Sequence, residues 1–72
     1  MEKFSERLKE LRQTKGLSQS ALAKALGISS RNYQRYEYGE IEAPVSALIA
    51  ARNYFGVSAD YLLGCSDNPQ RI

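Results

Sequence analysis

The 72 residues predict an all-α domain, a compact bundle of five short helices. Three observations lead there. Apolar residues recur at three- and four-residue spacing, the period of one helix face. Serines stand where helices would begin, at Ser18, Ser29 and Ser58, and glycines where they would end, at Gly16, Gly27, Gly39, Gly56 and Gly64. Two of the helical segments are separated by so short a turn that they must cross steeply, so the chain has to fold back on itself as a small bundle.

The first helix is expected over residues 1–15, MEKFSERLKELRQTK. Phe4, Leu8 and Leu11 form its buried stripe. Glu2, Lys3, Glu6, Lys9 and Glu10 take the wet face, where spacings such as Glu6 to Lys9 stabilise a helix slightly. Gly16 ends it, and Leu17 supplies the apolar residue just past the stop.

Residues 18–39, SQSALAKALGISSRNYQRYEYG, read as two helices around a tight turn. Ser18 caps the first by accepting an orphan backbone N–H. Leu22, Ala23 and Leu26 face inward, with Ala23 small where two helices cross. Gly27 supplies a left-handed residue, and Ile28 closes the apolar contact of a Schellman-type stop. Ser29 then caps a helix over 29–38 that stops at Gly39. At about 100° per residue, Tyr33, Tyr36 and Glu37 share one side of it, and Arg31, Gln34, Arg35 and Tyr38 the other.

Glu40, Ile41, Glu42, Ala43 and Pro44 form a loop, with Pro44 suited to a helix start because it lacks the N–H that would be unsatisfied there. The fourth helix, VSALIAARNYF over 45–55, places Val45, Leu48, Ile49, Ala51 and Phe55 on or near one side. Arg52 lies beside that stripe, either snorkelling from the core margin or reaching a second subunit. Gly56 stops this helix. Ser58 caps the fifth, Val57 staples to Leu62, and Asp60 complements the helix dipole. Gly64 ends the ordered fold, so residues 1–64 are expected as the domain. Residues 65–72, CSDNPQRI, are expected as a polar tail that frays.

The 18–39 stretch resembles the Cro/cI-type (lambda-repressor-like, XRE) helix-turn-helix family. The resemblance is carried by Gln19, Leu22, Ala23, Leu26, Gly27, Ile28, the helix 29–38 and the closing Glu37-Tyr38-Gly39. It extends over roughly Phe4 to Gly64, because YFGVSADYLLG at 54–64 is similar to the family's usual ending. It implies a lambda-repressor-like five-helix domain that regulates transcription as a repressor by binding double-stranded DNA. Arg12 and Glu37 lie on the core margins of their helices, which suggests that they pair. In the family, an Arg and a Glu at matching positions form a partly buried ion pair, expected here to orient the recognition helix. The family also uses the matching Gln on the DNA backbone, which implies a phosphate contact for Gln19. Two features depart from the pattern. Tyr33 and Tyr36 replace commoner aliphatic residues and are read as core, their hydroxyls needing partners. The 40–42 loop is acidic where many relatives are basic.

The outer face of helix 29–38 has the chemistry for reading bases. Arginine's planar fork matches guanine O6/N7, and the major groove admits a helix. Ser30, Arg31, Gln34 and Arg35 are the expected base-contacting residues, with Asn32 on a flank. Ser18, Gln19, Ser29 and Tyr38 are expected on phosphates, Gln19 because it lies in a first turn whose free backbone N–H groups attract anions. One such helix reads few base pairs, so a homodimer on a palindromic operator is expected, paired through the fifth helix and the residues after it.

Other classes fit less well. A net charge of +2 is only mildly basic, so the argument rests on where the charges sit. One cysteine, Cys65, and no histidine leave no metal site, no internal disulfide and no nucleophile–base set, so neither an enzyme nor a cofactor is expected. Without an apolar run near ~20 residues, a cytoplasmic location and no membrane association are expected. The rival reading is a helix-turn-helix module that holds another protein, favoured by the modest charge and the acidic loop.

Overall fold

Serine caps and left-handed glycines divide the chain into five helices. A computed structural model describes residues 2–70, with side chains from Lys3 onward. The helices are α1 (Glu2–Thr14), α2 (Gln19–Leu26), α3 (Ser30–Glu37), α4 (Val45–Phe55) and α5 (Ala59–Leu63). Among the described residues there is no strand beyond one isolated antiparallel bridge, Val57 with Gln70. Met1, the first residue of the expected α1, lies outside the described residues.

The caps form as the sequence predicts. The Oγ atoms of Ser18, Ser29 and Ser58 accept from the N–H groups of Ala21, Asn32 and Tyr61 at 3.0, 3.2 and 3.0 Å. Gly27 sits at φ 71°, a conformation open to glycine without strain, and Ile28 N–H returns to the Ala23 carbonyl at 2.9 Å. Gly64 is needed for a second reason besides its φ of 81°. A Cβ there would lie 2.6 Å from Lys3 Cγ, because the end of α5 presses on the start of α1.

The core is shared by all five helices: Phe4 and Leu8, Leu22 and Ala23, Tyr33 and Tyr36, Ala47 and Ala51, with Val57 and Leu62. α3 packs on both α2 and α1, α5 on α1 and α4, and α4 on α2. α3 is therefore held from two sides, by its sequence neighbour α2 and by the more distant α1.

Two expectations are corrected here. On α4 the buried residues are Ala47 and Ala51, with Leu48 and Phe55 half-buried, while Val45 and Ile49 are 69% and 47% exposed. The helix is apolar around most of its circumference, so periodicity did not single out a face. The alanines win because α2 and α5 must approach its backbone closely. Arg52 is half-buried, and its Nε and Nη2 donate to Asn53 Oδ1 at 3.3 and 3.1 Å.

The second correction concerns the tail, which up to Gln70 docks instead of fraying. Arg7 Nη1 donates to the carbonyls of Tyr61 and Ser66 at 2.8 and 2.7 Å, and Nη2 to Asp67 Oδ1 at 2.9 Å. The guanidinium also lies over the Tyr61 ring, 4.0 Å from its centroid. Ser58 N–H donates to the Pro69 carbonyl at 2.9 Å, which turns the tail into a short partner for the α4–α5 connection. The expectation for residues 71 and 72 lies outside the described residues.

Candidate nucleic-acid interface

The two faces of α3 separate by burial. Tyr33 is fully buried, and Tyr36 and Glu37 nearly so. On the other side Ser30, Arg31 and Asn32 are exposed, Gln34 and Arg35 are half-buried at the margin, and Tyr38 is 62% exposed. Ser18 and Ser29 lie exposed at the N-termini of α2 and α3, with their oxygens engaged as caps.

The inner face is anchored by a side-chain network centred on Glu37. Arg12 Nε and Nη2 donate to Glu37 Oε2 and Oε1, both at 2.9 Å, a side-on fork. Arg12 Nη1 donates to the Leu17 carbonyl at 2.8 Å, so the same guanidinium also ties down the α1–α2 turn. The Tyr33 hydroxyl donates to Oε2 at 2.5 Å, and Gln19 Nε2 to Oε1 at 3.2 Å. The Glu37 side chain is 1% exposed and that of Arg12 14%, which places the pair inside the fold and not on its surface. Burial alone would raise the Glu37 carboxyl, but hydrogen bonds from Arg12, Tyr33 and Gln19, with the Arg12 charge, hold it below its ordinary 4.5. Arg12 is raised by its bond to Glu37 against the opposing effect of burial, and the Tyr33 phenol is pushed well up, first by burial and then by Glu37.

A second tie between α1 and α3 had no counterpart in the sequence reading. The buried Ser5 hydroxyl donates to the Tyr36 carbonyl at 2.6 Å, near the end of α3. Its signal was the seven-residue spacing from Ser5 to Arg12, which puts both on one side of α1. The donation of Tyr33 to Glu37 was likewise legible only as an i, i+4 spacing on one face.

The Gln19 side chain, expected on a phosphate, turns into the fold. It is half-buried, and its Nε2 turns inward to Glu37 and also reaches the Tyr38 hydroxyl at 3.3 Å. Gln19 and Tyr38, at the start of α2 and just past α3, are thus brought together. In the loop after α3, Ile41 and Ala43 pack on the core while Glu40 and Glu42 are exposed. Of the three apolar residues at the end of α5, Leu62 is fully buried, Tyr61 lies beneath Arg7, and only Leu63 is exposed, at 37%.

Among the described residues no group of three or more His, Cys, Asp or Glu side chains converges as a metal site, and no helix is long and apolar enough to cross a membrane. The helix-turn-helix family matches residues 8–62. The chain belongs to this family, the XRE-type one that residues 18–39 resemble. Members similar to it include the SPbeta prophage-derived uncharacterized HTH-type transcriptional regulator YonR of Bacillus subtilis, 45% identical over 60 residues that cover 83% of this chain and 56% of YonR. The HTH-type transcriptional regulator ImmR of the same organism is 39% identical, over 85% of this chain and 48% of its own. A putative HTH-type transcriptional regulatory protein of Pyrobaculum aerophilum is 37% identical, over 90% of this chain and 26% of its own. This helix-turn-helix chain thus spans about half the length of the Bacillus relatives it matches.

Proposed function

We propose that this chain is a sequence-specific DNA-binding transcription regulator, acting as a repressor, that inserts α3 into the major groove. The observation that carries the reading is the division of α3: an anchored inner face of Tyr33, Tyr36 and Glu37, and an exposed outer edge of Ser30, Arg31 and Asn32 flanked by Gln34 and Arg35. A helix fixed on one side and rich in donors on the other suits direct readout of base edges. Ser30, Arg31, Gln34 and Arg35 take the bases. Ser18, Gln19, Ser29 and Tyr38 take phosphates and set the docking register without carrying base information. The Arg12–Glu37 pair holds α3 in orientation against α1 and the α1–α2 turn.

A homodimer on a palindromic operator, with half-sites about 10 bp apart or a multiple of it, supplies the specificity that a single short helix lacks. Exposed apolar side chains for such pairing are Leu63 on α5 and Val45 and Ile49 on α4. Selection of bound duplexes from a random pool tests class and symmetry together. Recovery of a palindrome is expected. A pool with no enriched sequence, and no binding to any duplex at low salt, would leave the protein-holding module as the better reading.

A further inference from the structure

Arg12 by itself does not fix where the Glu37 carboxylate points. The fork grips both oxygens in one plane and Arg12 Nη1 is tied to the Leu17 carbonyl, so Arg12 holds the carboxylate from the side of α1 and the α1–α2 turn only. Tyr33 has only two side-chain torsions and no exposed surface, and its hydroxyl meets Oε2 at 2.5 Å from inside the core. With Oε2 held there, Oε1 is left facing Gln19 Nε2 at 3.2 Å. The same amide nitrogen reaches the Tyr38 hydroxyl at 3.3 Å, on a side chain 62% exposed. The bonds therefore run from the core to the start of α2 and the end of α3, where the DNA backbone is met in the reading above.

Resting on that reading, we infer that Tyr33 is a positioning residue for the phosphate contact: through Glu37, its hydroxyl fixes the Gln19 amide, whose nitrogen donates to Glu37 and to Tyr38, and so leaves the Tyr38 hydroxyl set to donate to a phosphate. A phenylalanine at 33 would keep the ring in the core and leave Oε2 to Arg12 alone. The ring does the packing and the hydroxyl does the positioning. The two are separable.

The test compares the parent, Tyr33→Phe, Gln19→Ala and the double variant on one selected duplex and on single-base changes of it. Tyr36→Phe serves as control, since it removes a hydroxyl from the same core but outside this network. All binding is measured well below the melting temperature of each protein. Tyr33→Phe is expected to lose affinity by about three- to tenfold, the ordinary worth of one hydrogen bond. The loss should be alike for every sequence, and the salt slope should be unchanged because no charge is removed. In the Gln19→Ala background the same substitution should cause no further loss. An equal loss in both backgrounds, or one matched by Tyr36→Phe, would mean a loosened core and would overturn the inference, as would an unchanged affinity. In the free protein, the Gln19 side-chain amide resonances should move in Tyr33→Phe and stay put in Tyr36→Phe. If the parent binds no duplex at low salt, the DNA reading falls on its own, and those resonances still decide: unmoved in Tyr33→Phe, they overturn the positioning role.

Discussion

Tyr33 and Glu37 stand one turn apart on α3 and are joined by a 2.5 Å hydrogen bond at a place where Tyr33 has no exposed surface. With the Arg12 fork and Gln19, that bond gives the carboxylate a full set of donors from α1, α2 and α3. A buried charge so held adds little net stability over an apolar replacement, but it is expensive to leave unpaired. The energetics of the domain and the orientation of its recognition helix thus meet in one carboxylate.

Glu37→Ala should destabilise the fold by about 3 kcal/mol, because it strands the Arg12 guanidinium and the Tyr33 hydroxyl away from water. Replacing Arg12 and Glu37 together with well-packed apolar residues should cost much less. Denaturant unfolding of the three proteins measures this. A Glu37→Ala protein that unfolds like its parent would reduce the pair to a surface contact.

The pH dependence follows from the direction of each shift. Glu37 titrates below its ordinary 4.5 in the fold, so its contribution is complete above that value and is lost as pH falls through the lowered one. Tyr33 is raised above its ordinary 10.0, so its contribution is complete below that value and is lost as pH climbs beyond it. The gap in melting temperature between the parent and Glu37→Gln should be widest near neutrality and should narrow on acidification below 4.5. A gap that stays constant from neutral pH down to strong acid would contradict the assignment.

Reading and holding separate on the DNA surface. Arg31→Ala should lose discrimination worth about 1–3 kcal/mol at one base pair per half-site, leaving other positions read as before. Gln19→Ala should weaken every sequence by a similar factor and barely change the salt slope, since no charge leaves. The measurement is binding to a panel of single-base operator changes at two salt concentrations. If Arg31→Ala weakens all sequences equally and flattens the salt slope, Arg31 clamps a phosphate, and the reading belongs to Ser30, Gln34 or Arg35.

Arg7 is the clasp of the tail. Arg7→Ala removes bonds to two carbonyls and to Asp67, and uncovers the Tyr61 ring. It should destabilise the domain by roughly 1–3 kcal/mol and expose the Ser58 amide to faster hydrogen exchange. Asp67→Ala should leave stability near the parent's, because that carboxylate is fully exposed. Unchanged exchange at Ser58 in Arg7→Ala would show that the tail holds without the clasp.

The helices were legible in the sequence because capping and stopping are local. Ser18 to Ala21, Ser29 to Asn32 and Ser58 to Tyr61 are bonds across three residues, and the left-handed glycines close turns of five or six. The inner and outer faces of α3 were legible for the same reason, since its apolar and polar residues segregate at helical spacing. The pairing of Arg12 with Glu37 was open to inference from two charges on facing core margins. Four matters were decided only by the tertiary structure. α4 buries Ala47 beside the expected Ala51 and leaves Val45 and Ile49 exposed, because close approach to α2 and α5 favours small residues and an almost wholly apolar helix offers no face of its own. The tail docks because Arg7, far earlier in the chain, donates to the Ser66 carbonyl and the Asp67 carboxylate. Gln19 turns inward and Tyr33 donates to Glu37 because three helices converge on a carboxylate whose burial no local pattern records. Spacing along one helix says which side chains share a face, and only the packing of helices against each other says what that face will meet.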